Sequence, residues 1–351
     1  MPDEKTTTVA PDHERGRSDS LARTPTACPA RTRLYRDGAL VAEGFPVEQI
    51  SDHLCEPGVT VWLDLHDPSI EDLAVLTEEF GLHPLAVEDA VHEQQRPKVD
   101  RYRRNLFLSA YSLRYDPAET QMVTGELAAF VTSQALITVR KDDEFDLRAL
   151  LDRWDGADDL AVHGVGFLVH GLLDVIVDSY FVAVQALDDE VEDLEEALFA
   201  ENSDDRSVQR RSFDLRKCLV LTRRIVLPMR EVVNTFMRRD LPVAPEPLRP
   251  YFEDVYDHVL RATDWTESLR DMVVSILDTR ITLQGNRLNE IMKKLTSWAA
   301  IIAVPTAVTG FYGQNVPYPG FQQTWGIFCS VGLMVGIALT LYITFKRKGW
   351  L

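Results

Sequence analysis

Asn289, Thr306 and Asn315 are neutral oxygen-bearing side chains spaced along a segment near the C-terminus of a chain otherwise crowded with carboxylates. They belong to a longer series: Asp278, Thr282, Gly285, Asn289, Met292, Thr296, Ala299, Ala303, Thr306, Gly310 and Gly313. Steps of three and four residues place that series on one side of a helix. Nearly every member is small or polar, whereas the rest of the segment presents Leu295, Trp298, Ile301, Ile302, Val304 and Phe311. One face expects lipid or protein, and the other tolerates water. Small residues at this spacing also let transmembrane helices approach closely. If the face lines a conduit, several copies must supply it, because the two helices of one hairpin enclose no lumen. Amide and hydroxyl rings would then contact an ion's hydration shell. No carboxylate lies in the span or the turn after it. Mg²⁺ dehydrates reluctantly, so neutral rings touching the hydrated ion favour passage over retention.

The element carrying this face is set by a gap in charge. The 51 residues Leu295–Phe345 hold no Asp, Glu, Lys, Arg or His, in a chain that is 26% charged. They divide into an apolar stretch 295–313, a turn 314–324 and a second apolar stretch 325–345. As helices the two stretches rise about 28 and 31 Å, close to the roughly 30 Å hydrocarbon core. A transmembrane hairpin is expected. Arg280, Arg287, Lys293 and Lys294 precede it, Lys346-Arg347-Lys348 follow it, and the turn carries no cation. Positive charge stays inside, so both termini are expected in the cytoplasm and the protein in the cytoplasmic membrane.

Ahead of the first span no proline interrupts 251–304, a run of about 80 Å as one helix. Val255, Val259, Ala262, Leu269, Val273, Ile276 and Leu283 recur at close to 3.5-residue spacing, so this stalk (251–294) should pack against copies of itself or neighbouring helices. Two further long helices are expected within 164–250, split at Asn202-Ser203, the first ending in an acidic run and the second basic. Opposite charge faces on an antiparallel pair account for this pattern, and gathering or sensing cations is the other reading.

Residues 32–163 read as a cytosolic α/β domain. A hairpin is expected around Asp37-Gly38, with strands at 59–65, 105–114, 123–131 and 135–140, and a helix near 145–154. Another helix is expected from Ser69, its N-cap, to Gly81, and a short one from Pro84. His83 has no second His or Cys at ligand spacing, so it reads as a helix-start residue held by local backbone. The adjacent Glu88 and Asp89 read by spacing as a solvated face. Residues 1–31, rich in Thr, Pro, Asp and Arg, are expected to be a disordered tail without a signal-peptide core. The net charge of −18 opposes nucleic-acid binding and attracts cations. Cys28, Cys55, Cys218 and Cys329 form no metal-ligand pattern and read as reduced thiols. No nucleophile elbow, HExxH or phosphate-binding glycine loop is present, so an enzyme is not expected.

Tyr312-Gly313-Gln314-Asn315, following Pro305 and Thr306, resembles the Tyr-Gly-Met-Asn signature of the CorA family of divalent-cation channels. The resemblance continues through 289–296, 251–258, 83–89, Gln95-Arg96-Pro97-Lys98-Val99 and the basic C-terminus, so it covers about residue 32 onward. It implies an α+β membrane protein: a cytosolic α/β domain, a long helical stalk running into the pore-lining span, and a second span outside it, assembled as a homopentamer. It implies that Gly313, Gln314 and Asn315 form the selectivity ring. Thr306 and Asn289 would form polar rings, Met292 and Leu295 the hydrophobic constriction, and Ala299, Ala303 and Gly310 further lining, with Asp278 at the cytosolic mouth. Asp89 and Asp254 match an intersubunit regulatory Mg²⁺ site, with Glu88 and Asp257 as auxiliary positions. The implied cargo is Mg²⁺, with Co²⁺ and Ni²⁺.

Two departures bear on the ion. Gln314 replaces the usual Met, and the turn lacks the acidic residues many relatives use to attract cations. Ala303 stands where some relatives place Met. The related proton-coupled zinc transporters vary the middle position of the signature, so Zn²⁺ is the alternative cargo. A membrane-anchored cytosolic sensor is the alternative of another class, although a tether needs neither the stripe nor the turn.

Overall fold

The computed structural model describes residues 28–92, 95–103, 105–199, 205–238, 241, 243–314, 317, 320–321 and 323–351. They fall into two compact units. One lies within Met1–Ala110, Gly125–Leu172 and Arg238–Arg249, the other within Tyr111–Thr124, Leu173–Met237 and Pro250–Leu351.

The first unit is built on a sheet of β1 (Ala30–Arg36), β2 (Ala39–Glu43), β3 (Val59–His66), β4 (Lys98–Arg101), β5 (Leu106–Asp116), β6 (Gln121–Val131) and β7 (Ala135–Arg140). Their order is β2-β1-β3-β7-β6-β5-β4. The central pair β3–β7 is parallel. Pairs β1–β2, β1–β3, β6–β7 and β4–β5 are antiparallel. Strand β3 is buried along all but its last residue and β7 throughout, which explains their nearly continuous apolar sequences. One charge interrupts β3. Asp64 is 1% exposed and takes two hydrogen bonds from Arg140 Nε and one from Nη2, at 3.1, 3.1 and 2.8 Å, plus one from Thr138 Oγ1 at 2.7 Å. Asp37 and Gly38 both have positive φ, as the two-residue hairpin expected there requires. Strand β1 begins at Ala30, two residues inside the segment expected as tail.

Around the sheet lie α1 (Ile50–Leu54), α2 (Ile70–Phe80), α3 (Pro84–Val91), α4 (Leu147–Asp155) and α5 (Asp158–Ala161). Helix α2 starts in a reciprocal cap. Ser69 Oγ accepts from Asp72 N at 3.2 Å, and Asp72 Oδ2 accepts from Ser69 N at 2.9 Å. It stops where Gly81 turns left-handed at φ 63°. Helix α1 and the edge strand β4 are elements that the periodicity did not announce.

The second unit takes in the end of β5 and the start of β6 and is otherwise helical: α6 (Val165–Phe199, whose first turns belong to the first unit), α7 (Asp205–Phe236), α8 (Arg249–Tyr312) and α9 (Thr324–Arg347). Helix α6 ends before, and α7 begins after, the split expected at Asn202-Ser203, and the expected charge pairing is present at Arg211 Nη2–Glu190 Oε2, 2.9 Å. Arg223 Nε reaches Glu267 Oε1 of α8 at 3.0 Å. Three helices, α6, α8 and α9, are long and apolar enough to cross a membrane. Burial separates them: 72% of the apolar window of α6 is buried inside the protein, against 11% for α8 and 6% for α9. Helix α6 is therefore core, whereas α8 and α9 leave most of their apolar windows uncovered by the described residues of this chain.

Candidate ion path and cation sites

Helix α8 is unbroken for 64 residues, from the first turn that holds Pro250 to Tyr312, and it passes Pro305 without ending. It is two structures in series. Through residue 280 it buries Phe252, Val255, Val259, Ala262, Leu269, Val273, Ile276 and Arg280 at helical spacing. From Ile281 to Thr296 every residue is exposed, including Ile281, Leu283, Leu288, Ile291, Met292 and Leu295. Leu283, the last of the apolar series expected to pack against copies of the stalk or neighbouring helices, lies on this bare stretch. Beyond it the buried residues of α8 are Ser297 and Val308. At 100° per residue Val308 lies about half a turn from Ala299, and Ser297 lies well over a third of a turn from Gly310.

The expected stripe thus faces away from what the single chain packs. Asp278, Asn289, Met292, Leu295, Ala299, Ala303, Thr306, Gly310, Gly313 and Gln314 are all exposed. A Cβ built on Gly310 or Gly285 meets no atom within 4 Å. Thr306 Oγ1 donates to Ile302 O at 3.4 Å, and Thr309 Oγ1 donates to Pro305 O at 2.8 Å. Their protons go to the helix, and a hydroxyl oxygen so used still accepts from water. The helix closes with Gly313 N donating to Thr309 O at 2.8 Å. Asn315 lies outside the described residues.

The carboxylates expected to hold a regulatory cation lie in different units and are described separately. Asp89, on α3, is partly buried and receives Lys98 Nζ at 2.6 Å. The same ammonium lies 2.9 Å from Asp100 Oδ2 and 5.8 Å from the Phe107 ring centroid. Burial alone would lower the Lys98 pKa, but hydrogen bonds to Asp100 and Asp89 outweigh it and hold the ammonium above its ordinary value. Burial, then Asp100 and Asp89, push the Tyr102 phenol up. Tyr102 in turn stacks on His83, whose Nδ1 accepts from Leu85 N at 3.2 Å, so this histidine caps α3 as expected. Glu88 is exposed.

On α8, Asp254 and Asp257 are exposed, and Asp254 Oδ2 lies 3.8 Å from His258 Nε2. His258 leads to a cluster that sequence reasoning missed. One ligand atom each from Asp174, Asp178 and His258 lie within 4.8 Å of one another. Asp174 is buried, and His258 Nδ1 is buried with no hydrogen-bond partner among the described residues. The available signal was a pair of four-residue spacings, Asp174–Asp178 and Asp254–His258, each putting two ligands on one helix face. What joins the two pairs is packing of α6 on α8, seen also in Phe181 meeting the His258 ring edge-on at 5.4 Å. Two carboxylates and an imidazole suit Co²⁺, Ni²⁺ or Zn²⁺ better than Mg²⁺, which prefers oxygen alone.

Residues 58–347 match the family model described as CorA-like Mg2+ transporter protein. The cobalt/magnesium transport protein CorA of Thermotoga maritima is 32% identical over 277 residues, 78% of each chain. The zinc transport protein ZntB of Yersinia pseudotuberculosis is more distant, 23% identical over 296 residues, 83% of this chain and 88% of that one. Among solved structures, the complete CorA magnesium transporter from Methanocaldococcus jannaschii superposes with a TM-score of 0.73 at 27% identity, covering 92% of this chain and 98% of that one.

Proposed function

The chain belongs to the CorA-like Mg2+ transporter family, and on that premise we propose that it is a passive Mg²⁺ channel, a homopentamer in the cytoplasmic membrane. Co²⁺ and Ni²⁺ would be further cargo. The observation that carries this reading is the bare stretch of α8 followed by the exposed small and polar stripe. Six large apolar side chains between Ile281 and Leu295 have no cover within one chain, and they precede the span. Symmetry-related copies of α8 supply that cover, and a closed ring turns the stripe inward. Gly313, Gln314 and Asn315 then ring the outer entrance, Thr306 and Asn289 give polar rings, and Met292 and Leu295 the constriction.

Lys346-Arg347-Lys348 and the cations before the first span support a topology with both termini inside. With the interior negative, a divalent ion gains about 4.6 kcal/mol per 100 mV on entry, twice the figure for a single charge. No other energy source is required. Cytosolic Mg²⁺ closes the ring through Asp89 of one copy and Asp254 of the next, with Glu88 and Asp257 beside them. Oxygen-only ligands of this kind fit Mg²⁺.

The test is divalent uptake into proteoliposomes at a fixed potassium diffusion potential, comparing Mg²⁺, Co²⁺, Ni²⁺ and Zn²⁺, with Asn315→Ala alongside. Voltage-driven Mg²⁺ uptake that Asn315→Ala abolishes supports the channel and its ring. Absence of any flux overturns it in favour of a tethered cytosolic sensor. A second reading, proton-coupled Zn²⁺ transport, is favoured by Gln314 and by the mixed donor set at His258. Zn²⁺ uptake that follows an imposed proton gradient while Mg²⁺ stays out selects it.

A further inference from the structure

We propose that Lys98 is the built-in competitor of the regulatory cation: its ammonium occupies Asp89 until a divalent ion displaces it, and so sets the Mg²⁺ concentration at which the ring closes. The inference rests on the reading of Asp89 as a ligand. Three observations support it. Lys98 Nζ sits 2.6 Å from Asp89, the α3 carboxylate assigned as principal ligand of that site, at the distance of a charge-assisted hydrogen bond. It has a second seat, Asp100 Oδ2 at 2.9 Å, to which it can retreat without losing its counter-charge. The strand geometry keeps it close, because Lys98 and Asp100 alternate on the edge strand β4 and so point to the same face.

A carboxylate binds Mg²⁺ or its water shell best when no other cation holds its oxygens, and Asp89 is already paired with a cation that belongs to the chain itself. A lysine in this place raises the ion concentration needed for occupancy, which keeps the site from filling at low Mg²⁺. The side chains of Lys98 and Asp89 are about one third and one quarter exposed (32% and 27%), so the water-like end of the dielectric range applies. A divalent ion about 6 Å from the displaced ammonium is then repelled by an amount equal to about tenfold in affinity.

The experiment measures the Mg²⁺ concentration giving half of the Mg²⁺-induced rise in Tm of the full-length, detergent-solubilised protein at constant ionic strength. Asp89→Asn comes first. If it leaves the Mg²⁺ dependence untouched, the regulatory reading fails and takes this inference with it. If it removes a component, that component is the one scored. Lys98→Gln should then lower its midpoint about tenfold, and Lys98→Arg should stay near the parent. Asp100→Asn, which leaves Lys98 to Asp89 alone, should raise the midpoint, and it gives the answer where Lys98→Gln does not fold. A midpoint unchanged in Lys98→Gln, or raised, overturns the competitor role while leaving Asp89 as a ligand. An unchanged or lowered midpoint in Asp100→Asn does the same.

Discussion

Gly310 separates a stripe that lines a conduit from one that merely packs within the chain. It lies in the last turn of α8, two residues before Tyr312, and a Cβ added there meets nothing within 4 Å. Within one chain Gly310→Ala should therefore be harmless or favourable, since no atom opposes the added methyl and alanine favours the helix over glycine, by less in a last turn than the ~0.8 kcal/mol of a helix interior. In the ring the same carbon projects about 1.5 Å from every wall, narrowing the bore by up to about 3 Å. A Mg²⁺ ion with its first water shell is about 7 Å across, from a metal–oxygen distance of about 2.1 Å plus the water itself. Losing 3 Å of that width forces partial dehydration, which Mg²⁺ resists. A barrier increase of only about 1.4 kcal/mol is already tenfold in flux. Gly310→Ala should cut voltage-driven Mg²⁺ uptake at least tenfold and Gly310→Leu should abolish it, while assembly by size-exclusion chromatography and Tm stay at or above the parent. A fully assembled Gly310→Leu protein conducting at the parental rate would refute the assignment of the stripe to the ion path.

Three further outcomes are expected. Replacing Asp89 and Asp254 together by Asn should leave uptake open at internal Mg²⁺ that closes the parent, measured with Mg²⁺ loaded inside the liposomes; parental closure would remove both from the regulatory site. Asp64→Asn strands the Arg140 guanidinium in the core and should cost about 3–5 kcal/mol, read as a large fall in Tm. Tyr180 Oη donates to Tyr111 O at 2.9 Å inside the helical unit, so Tyr180→Phe should cost about 1 kcal/mol near pH 7. Burial raises this phenol above its ordinary pKa of 10.0, so the fold keeps it neutral while the unfolded chain ionises. That contribution is whole below pH 10 and lost as pH rises beyond it, and the Phe variant should show a shallower alkaline decline in Tm.

Local signals account for much of what was legible. The α2 cap at Ser69 and Asp72 and its stop at Gly81 follow from side chains within a few residues of the backbone groups they serve. The charge gap from Leu295 to Phe345 marks α9 and the end of α8 because a bilayer imposes length and composition together. Helix α1 and strand β4 were less legible. Each has four or five residues, too few to display a period.

Packing decided the rest. Helix α6 has the composition of a membrane span, and only its burial inside the protein shows that it is core. Asp174 and Asp178 precede His258 by about eighty residues, and no spacing rule links them. Their juxtaposition follows from the apolar faces that α6 and α8 bury, since Val259 and Ala262 flank His258 while Val177 and Leu173 flank the two aspartates. The same burial fades along α8 after Ile276 and Arg280, where the chain runs out of its own helices to cover the rod. Six large apolar side chains left bare over sixteen residues beside a basic membrane approach mark an interaction surface. In the proposed ring, neighbouring copies cover that surface, so a variant carrying polar residues at Leu288, Ile291 and Leu295 should lose assembly before it loses the fold of the α/β unit.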